Sequence, residues 1–292
     1  MFNSKLTVVT ICFFAFSTLH LEAQYLGDQQ HGVAGLKAGS QPAPGYYVTL
    51  PLYYLYHDIS LYDSQGNQVL KDLTTNINLF VLPAVTVVTS FKILGANYGA
   101  SYTQWISNGV VNVAATNFRR STSYPFRDIY VQPVILGWHI PHADITAGYS
   151  FFAPTGAGSA GLHMWVNEIN FGTTIYPDTK KKWNVGTMLY YDFNGTKNNA
   201  DIKVGDILTL QGGLGRSFLK GAANVGAAYA AQWKITPDSG SDIPSFLQIT
   251  NGRVFGVGPE VDMPVFAKGL NVGLVSFRYL WSVQKRILAA RF

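Results

Sequence analysis

The sequence predicts an all-β fold: a transmembrane antiparallel up-and-down β-barrel of about 12 strands, following a cleaved signal peptide. Three observations predict it. Charged residues make up only 13% of the 292-residue chain against 48% hydrophobic, about half the ~25% charge of a soluble protein. Beyond residue 20 there is no apolar run of the ~20 residues a membrane-crossing helix needs. From Gly45 onward, apolar side chains recur at every second position in one segment after another. That is the period of strands with one face in hydrocarbon and the other in a watery lumen.

Residues 1–23 read as the signal peptide. Lys5 supplies the positive start, Leu6 to Phe16 the short apolar core and Leu21-Glu22-Ala23 a cleavage site. Cys12 is the only cysteine and lies in that core, so a chain cleaved after Ala23 carries none. Such a chain suits an oxidising compartment without a disulfide framework. Export of a barrel implies the outer membrane of a Gram-negative-type cell, with its lipids and lipopolysaccharide as surroundings. The terminal Phe292 is then the expected signal to the barrel-assembly machinery.

The first strand is the clearest. Tyr46, Val48, Leu50, Leu52, Tyr54 and Tyr56 share one parity, aliphatic in the middle and aromatic at both ends. This is the depth profile of a lipid-facing strand between two aromatic girdles. Pro51, on the other parity, has no ladder donor and marks a bulge. The second strand (about 76–88) has Ile77, Leu79, Val81, Val85 and Val87 on one face, and the third (about 96–105) has Ala96, Tyr98, Ala100 and Tyr102. The fourth (about 128–139) is apolar on both parities, which leaves its facing open. The fifth to seventh (143–153, 165–176, 183–193) alternate cleanly, as Tyr149 and Phe151 do against Asp144 and Ser150. The eighth (206–218) carries Leu208, Leu210 and Leu214, and the ninth (223–233) sets Val225 and Tyr229 against Asn224 and Gln232. The tenth (253–263) sets Phe255 and Val257 against Glu260 and Asp262. The eleventh (269–281) carries Leu270, Val272 and Leu274, and the twelfth (about 284–292) ends the chain. Ser282-Val283 is poor chemistry for the turn between these last two.

Connection lengths agree with this count. Gaps after the odd strands (57–75, 106–127, 154–164, 194–205, 234–252) are long, and those after the even strands are short. Bacterial barrels alternate long outer loops with short periplasmic turns in this way. An even count places both termini on the periplasmic side.

A second line of reading comes from particular residues. His31-Gly32, Gly35-Leu36-Lys37-Ala38-Gly39, Pro42 and Pro44-Gly45-Tyr46-Tyr47 open a series of short motifs. It continues through Asp128, Pro133, Leu136-Gly137-Trp138-His139, Pro154-Thr155-Gly156, Asp192-Phe193-Asn194, Gly205-Asp206, Gln232, Asp238-Ser239-Gly240 and Gly258-Pro259-Glu260. In order and spacing these resemble the meta-pathway phenol-degradation family of outer-membrane proteins, which is distantly similar to channels for long-chain fatty acids and aromatic hydrocarbons. The resemblance implies passive uptake of a small hydrophobic or aromatic ligand; no enzymatic activity is expected, and the alternatives are a non-transporting structural or interaction barrel or, further off, a barrel lipase or acyltransferase. It marks Asp128, Trp138, Pro154, Thr155 and Gly156 as motif residues. It also favours reading residues 24–44, with His31, Leu36 and Lys37, as a hatch tucked into the barrel mouth rather than a loose tail. Residues 45–292 then form the barrel.

On the parity assignment, Asp144, Glu168, Asn170, Asp192, Gln232, Glu260 and Asp262 point into the lumen and form the candidate ligand path. The plainer alternative is a polar network with Lys234, Arg127 or the N-terminal segment, normal for a barrel interior. Tyr62, Tyr102, Trp105, Tyr124 and Phe126 are candidates for an outer access site. Other motifs carry nothing. Gly156-x-Gly158-x-x-Gly161 precedes a strand, not the helix that a dinucleotide fingerprint needs. His139 and His142 straddle a short turn, so no metal or cofactor is expected. The formal charge of +5 is scattered apart from Lys180, Lys181 and Lys182 in one turn, which excludes a nucleic-acid surface.

Overall fold

The structure is a computed structural model that describes residues 7–11, 32–50, 53–59, 73–81, 84–113, 118–121, 124–157, 161–219, 222–242, 252–267 and 270–286. The cleavage site at Leu21-Glu22-Ala23, and Gln24, His31, Pro51, Tyr62 and Phe292, lie outside these residues. No α-helix occurs among the described residues.

Strand β1 (Thr7–Ile11) runs parallel to β2 (Gly45–Leu50). Next come β3 (Tyr53–Ile59), β4 (Leu73–Val81), β5 (Ala84–Ile93), β6 (Ala96–Thr103), β7 (Trp105–Val113), β8 (Phe118–Ser121) and β9 (Ile129–Ile140). The long antiparallel run is β10 (Ala143–Ala153), β11 (Val166–Ile175), β12 (Trp183–Asn194), β13 (Ile207–Phe218), β14 (Ala223–Lys234) and β15 (Arg253–Ala267). Last come β16 (Leu270–Arg278) and β17 (Trp281–Arg286). Twelve strands follow one another in the principal sheet, in the order β1-β2-β5-β6-β9-β10-β11-β12-β13-β14-β15-β16, with β17 paired to β15.

A second sheet, β3-β4-β7-β8, continues the first hairpins outward. The pair Tyr53↔Phe80 keeps the register of Gly45↔Val88 without slip, so β2 with β3, and β5 with β4, are halves of single predicted strands. The segment 106–127 was expected as a loop. Instead β7 and β8 occupy much of it, because Val110, Val111 and Val113 extend the strand in register with β4.

Alternation decides which face is which. On β11, Glu168, Asn170 and Thr174 are buried while Ile169, Phe171 and Ile175 are exposed. On β12, Asn184 and Asp192 are buried while Trp183, Val185, Leu189 and Phe193 are exposed. Polar side chains inside and large apolar ones outside invert the pattern of a soluble protein. The exposed face is therefore the hydrocarbon face of a membrane-spanning barrel.

Strand β9 explains its own ambiguity. Gly99 pairs with Ile135 but Ser101 with Gln132, and Tyr149 pairs with Val134 but Phe151 with Val131. Both neighbours thus register one extra residue around Pro133. A bulge there reverses the parity, so Tyr130 and Gln132 face inward on one side of it, and Gly137 and His139 on the other. The β5–β6 turn is the two-residue Leu94-Gly95, with φ of 50° and 81°, as a tight hairpin turn of the primed type requires.

The end of the chain departs from expectation. β16 and β17 do not form a hairpin. Arg278 pairs with Glu260, and Trp281 with Val257, so both strands lie end to end along β15. The step at Tyr279-Leu280 interrupts one long strand, which is why Ser282-Val283 carries no turn chemistry. Arg286, opposite Arg253, is at the long-loop end. Leu274, opposite Pro264, shares its parity with Arg278 and Ser276, not with the lipid face.

Candidate functional site

Residues 32–44 run inside the curled sheet. The backbone turns twice, through Ala38 N to Gly35 O (3.0 Å) and Ser40 N to Lys37 O (3.1 Å). From this short segment, contacts reach round the sheet. Gly32 N donates to Gln211 Oε1 on β13 (2.7 Å), Leu36 N to Glu260 Oε1 on β15 (3.3 Å) and Gly39 N to Thr174 Oγ1 on β11 (3.1 Å). Ser40 Oγ donates to Asp144 Oδ2 on β10 (2.7 Å) and Gln41 Nε2 to Ile135 O on β9 (3.3 Å). Arg278 on β16 donates to Gly32 O and to both oxygens of Glu260. Laid flat, the strands from β9 to β16 would span about 34 Å at ~4.8 Å each. Ten residues folded through two turns fall well short of that, since even full extension gives only about 33 Å at ~3.3 Å each. The sheet must wrap around the segment.

Leu36 is the knob of this arrangement, with no exposed surface. Its socket is glycine. A Cβ at Gly213 or Gly226 would come within 2.8 Å of its side chain, and one at Gly186 within 2.6 Å of its carbonyl oxygen. Only residues without a side chain let the segment approach the wall so closely. Lys37 next to it is exposed.

The expected lumen residues divide into four groups. Glu260 is held by Arg278 and the N-terminal segment, with Asp262 beside it accepting from Ser276 Oγ (2.5 Å). Asp144 accepts from Ser40, from Tyr176 OH (2.7 Å) and from His139 Nδ1 (2.8 Å). Glu168 Oε1 accepts from Tyr130 OH (2.9 Å), Ser150 Oγ (2.5 Å) and Asn170 Nδ2 (3.2 Å), and Asp192 stands directly opposite Glu168 on β12. Gln232 Nε2 donates to Thr209 Oγ1 (2.8 Å), on a neighbouring part of the wall. All seven are buried. Lys234, expected to join this network, pairs with Asp238 instead. The cation that does join it is Arg278, and only the register Glu260↔Arg278 reveals it. The β9–β10 hairpin brings His139 to Asp144.

The motif residues form a loop clamp. Asp128, buried at the outer end of β9, accepts from Gly156 N (2.7 Å) and Leu162 N (2.5 Å), and Thr155 Oγ1 accepts from Ile129 N (3.1 Å). Pro154 begins the clamped loop. Trp138 serves a different place: its indole N–H donates to Leu94 O (3.0 Å) in the β5–β6 turn. The clamped loop feeds an apolar cluster of Phe152, Leu162, Met164, Val166 and Val204, with Tyr130 and Ile202 packed on it.

Between this cluster and the N-terminal segment lies a cavity of about 290 Å³. Ser40 and Gln41 line it from the segment, Tyr130, Gln132, Thr146, Phe152, Asn170 and Met188 from the wall. Among the described residues no group of His, Cys, Asp and Glu is arranged to hold a metal ion.

Residues 60–286 match the family named for the "MetA-pathway of phenol degradation". The chain belongs to this family. The phenol-degradation family match covers every strand from β4 to β17. The fold is similar to that in the crystal structure of an outer membrane channel from Pseudomonas putida F1, with a TM-score of 0.63 and 13% sequence identity over 79% of this chain and 85% of that one. No curated protein sequence matches the chain.

Proposed function

We propose that the protein is a passive channel of the outer membrane that takes up small hydrophobic or aromatic molecules, with residues 24–44 as its hatch. The observation that carries this reading is the cavity inside the curled sheet. Separable hydrogen bonds from the N-terminal segment bound it on one side, and the clamped loop cluster bounds it on the other. An arrangement held by hydrogen bonds and one Leu36 knob, without a covalent tie, can open and reclose. The similar fold of the Pseudomonas putida channel supports the reading. Nothing in it requires chemistry, so no residue is assigned a catalytic role. Residues 1–23 are the export leader in this view. Thr7–Ile11 then leaves with the leader, in keeping with its parallel pairing to β2, which an up-and-down barrel does not use. The partners are membrane lipid and lipopolysaccharide around the apolar face, and the assembly machinery through Phe292.

The test has two arms. A deletion strain should grow more slowly on an aromatic carbon source and normally on succinate. In planar bilayers, the protein lacking residues 24–44 should conduct more than the intact protein. Filling of the lumen by Leu36 and the Glu260–Arg278 pair favours one competing reading, a barrel with a purely structural or adhesive role. Unchanged growth together with a silent truncated protein would select that reading.

A further inference from the structure

We propose that Arg216, with the two rings that flank it, is a headgroup site for an anionic phospholipid of the periplasmic leaflet, and that the lipid phosphate is the group it binds. The site lies on the outside of the barrel and does not depend on the uptake reading. Lipid-facing positions on β10 to β14 carry neutral residues throughout, apart from Arg216. It shares the parity of Leu214 and Phe218 on its own strand, and lies opposite Trp183 on β12 and Val225 on β14. All four of these neighbours are exposed. Strand β13 ends at Phe218, and the short turns that follow β11 and β13 put this end on the periplasmic side.

The guanidinium is held in place. Its carbon sits 5.2 Å from the centre of the Trp183 ring and 5.2 Å from that of Phe218. Cation–π contact with two rings keeps the group at the level of the aromatic girdle, where an unrestrained side chain would swing out to water. The rings engage its charge but leave its N–H fork without an acceptor. Among the described residues no carboxylate pairs with Arg216; the cations that are paired are His139, Lys234 and Arg278.

Depth and charge set the ligand's chemistry. At the girdle of a bilayer the acceptors on offer are lipid headgroup oxygens, and the planar fork of Arg matches phosphate bidentately. The neighbouring turn adds positive charge. Ser217 N donates to Lys182 O (2.7 Å), which ties that turn alongside Arg216, and Lys180 and Lys182 are exposed. Asp178, the turn's only acidic residue, is engaged by the backbone N–H groups of Lys180, Lys182 and Trp183. These cations favour a lipid of net negative charge over a zwitterionic one. Its acyl chains would run along Leu214 and Val225 toward the middle of the membrane.

The test is lipid titration followed by native mass spectrometry, on the protein purified from outer membranes in detergent. The probes are dioleoyl phosphatidylglycerol and dioleoyl phosphatidylcholine. The first phosphatidylglycerol should bind about fivefold or more tightly than the first phosphatidylcholine. Arg216→Gln should bring the two lipids level, and Arg216→Lys, which keeps the charge but not the fork, should retain less than half of the preference. Circular dichroism checks that each variant keeps the parent's β-sheet content. A double variant, Lys180→Gln with Lys182→Gln, should keep most of the preference. The proposal is overturned if the parent does not distinguish the lipids, or if either Arg216 variant keeps the parent's preference. It is also overturned if the double lysine variant loses as much as Arg216→Gln, which would assign the effect to diffuse charge. Displacement of phosphatidylglycerol by millimolar inorganic phosphate would overturn it too, by making this a site for a free anion.

Discussion

Asp178 lies in the turn between β11 and β12, outside the membrane-spanning strands. Its carboxylate accepts from the backbone N–H of Trp183 (2.7 Å), Lys182 (3.0 Å) and Lys180 (3.1 Å). These bonds, Trp183's foremost, hold its carboxyl below the ordinary carboxylate range. A depressed folded-state value means that the contribution is complete above the unfolded-state value and fades as pH falls through the folded one. Asp178→Ala should therefore lower the melting temperature at pH 7, and the gap to the parent should close below about pH 4. Thermal melts in detergent across that range would show it; a gap independent of pH would contradict the account. Arg278 teaches something different about single residues. Its type implied nothing about its face, and its parity with Leu274 grouped it with an apolar run. The lumen carboxylates could be read from alternation alone, but their cation could not, because it depends on which residue of another strand lies opposite.

At the scale of elements, the Asp128 clamp makes a loop part of the barrel rim. Asp128→Ala would strand the buried N–H of Leu162, at about 1–3 kcal/mol, and the half-buried one of Gly156. The loss should be local. Residues 154–165 should become sensitive to protease while the melting of the barrel changes little, a contrast that limited proteolysis and a thermal melt can test side by side. Strands β10 to β14 were legible to within a residue or two because their alternation is uninterrupted. Strand β9 was not, since the bulge near Pro133 exchanges its faces midway and gives both parities the same apolar look. The outer half of the β7–β8 region was hidden by length. A loop of about twenty residues and a pair of strands that outreach the membrane have similar composition, and only pairing with β4 separates them.

For the whole molecule, the decisive property is the inverted surface. Leu189 and Phe171 face each other across β11 and β12 on the exposed side, midway along both strands. Leu189→Lys should cost about 2–4 kcal/mol at that depth, measured by urea unfolding in lipid vesicles. In detergent-free buffer the parent should precipitate, as its exposed apolar side chains have nothing else to cover them. The fold class was accessible from sequence because a lipid-facing wall imposes period two on every strand. The course of the last strand was not, because β16 and β17 read as two segments whichever way they pair, and only their shared partner β15 shows them collinear.

The unbroken register from β2 into β3 and from β5 into β4 has a mechanical corollary. Slipping β3, β4 or β7 by one residue would turn every side chain on that strand to the opposite face, so the outward sheet is denied translation along the barrel wall. Rotation about the line where Leu50 gives way to Tyr53 breaks no pair of the β2–β5 or β3–β4 ladders. Any displacement of that rim must accordingly be a swing of the whole flap, carrying Trp105 at its pivot beside the cavity it helps to enclose.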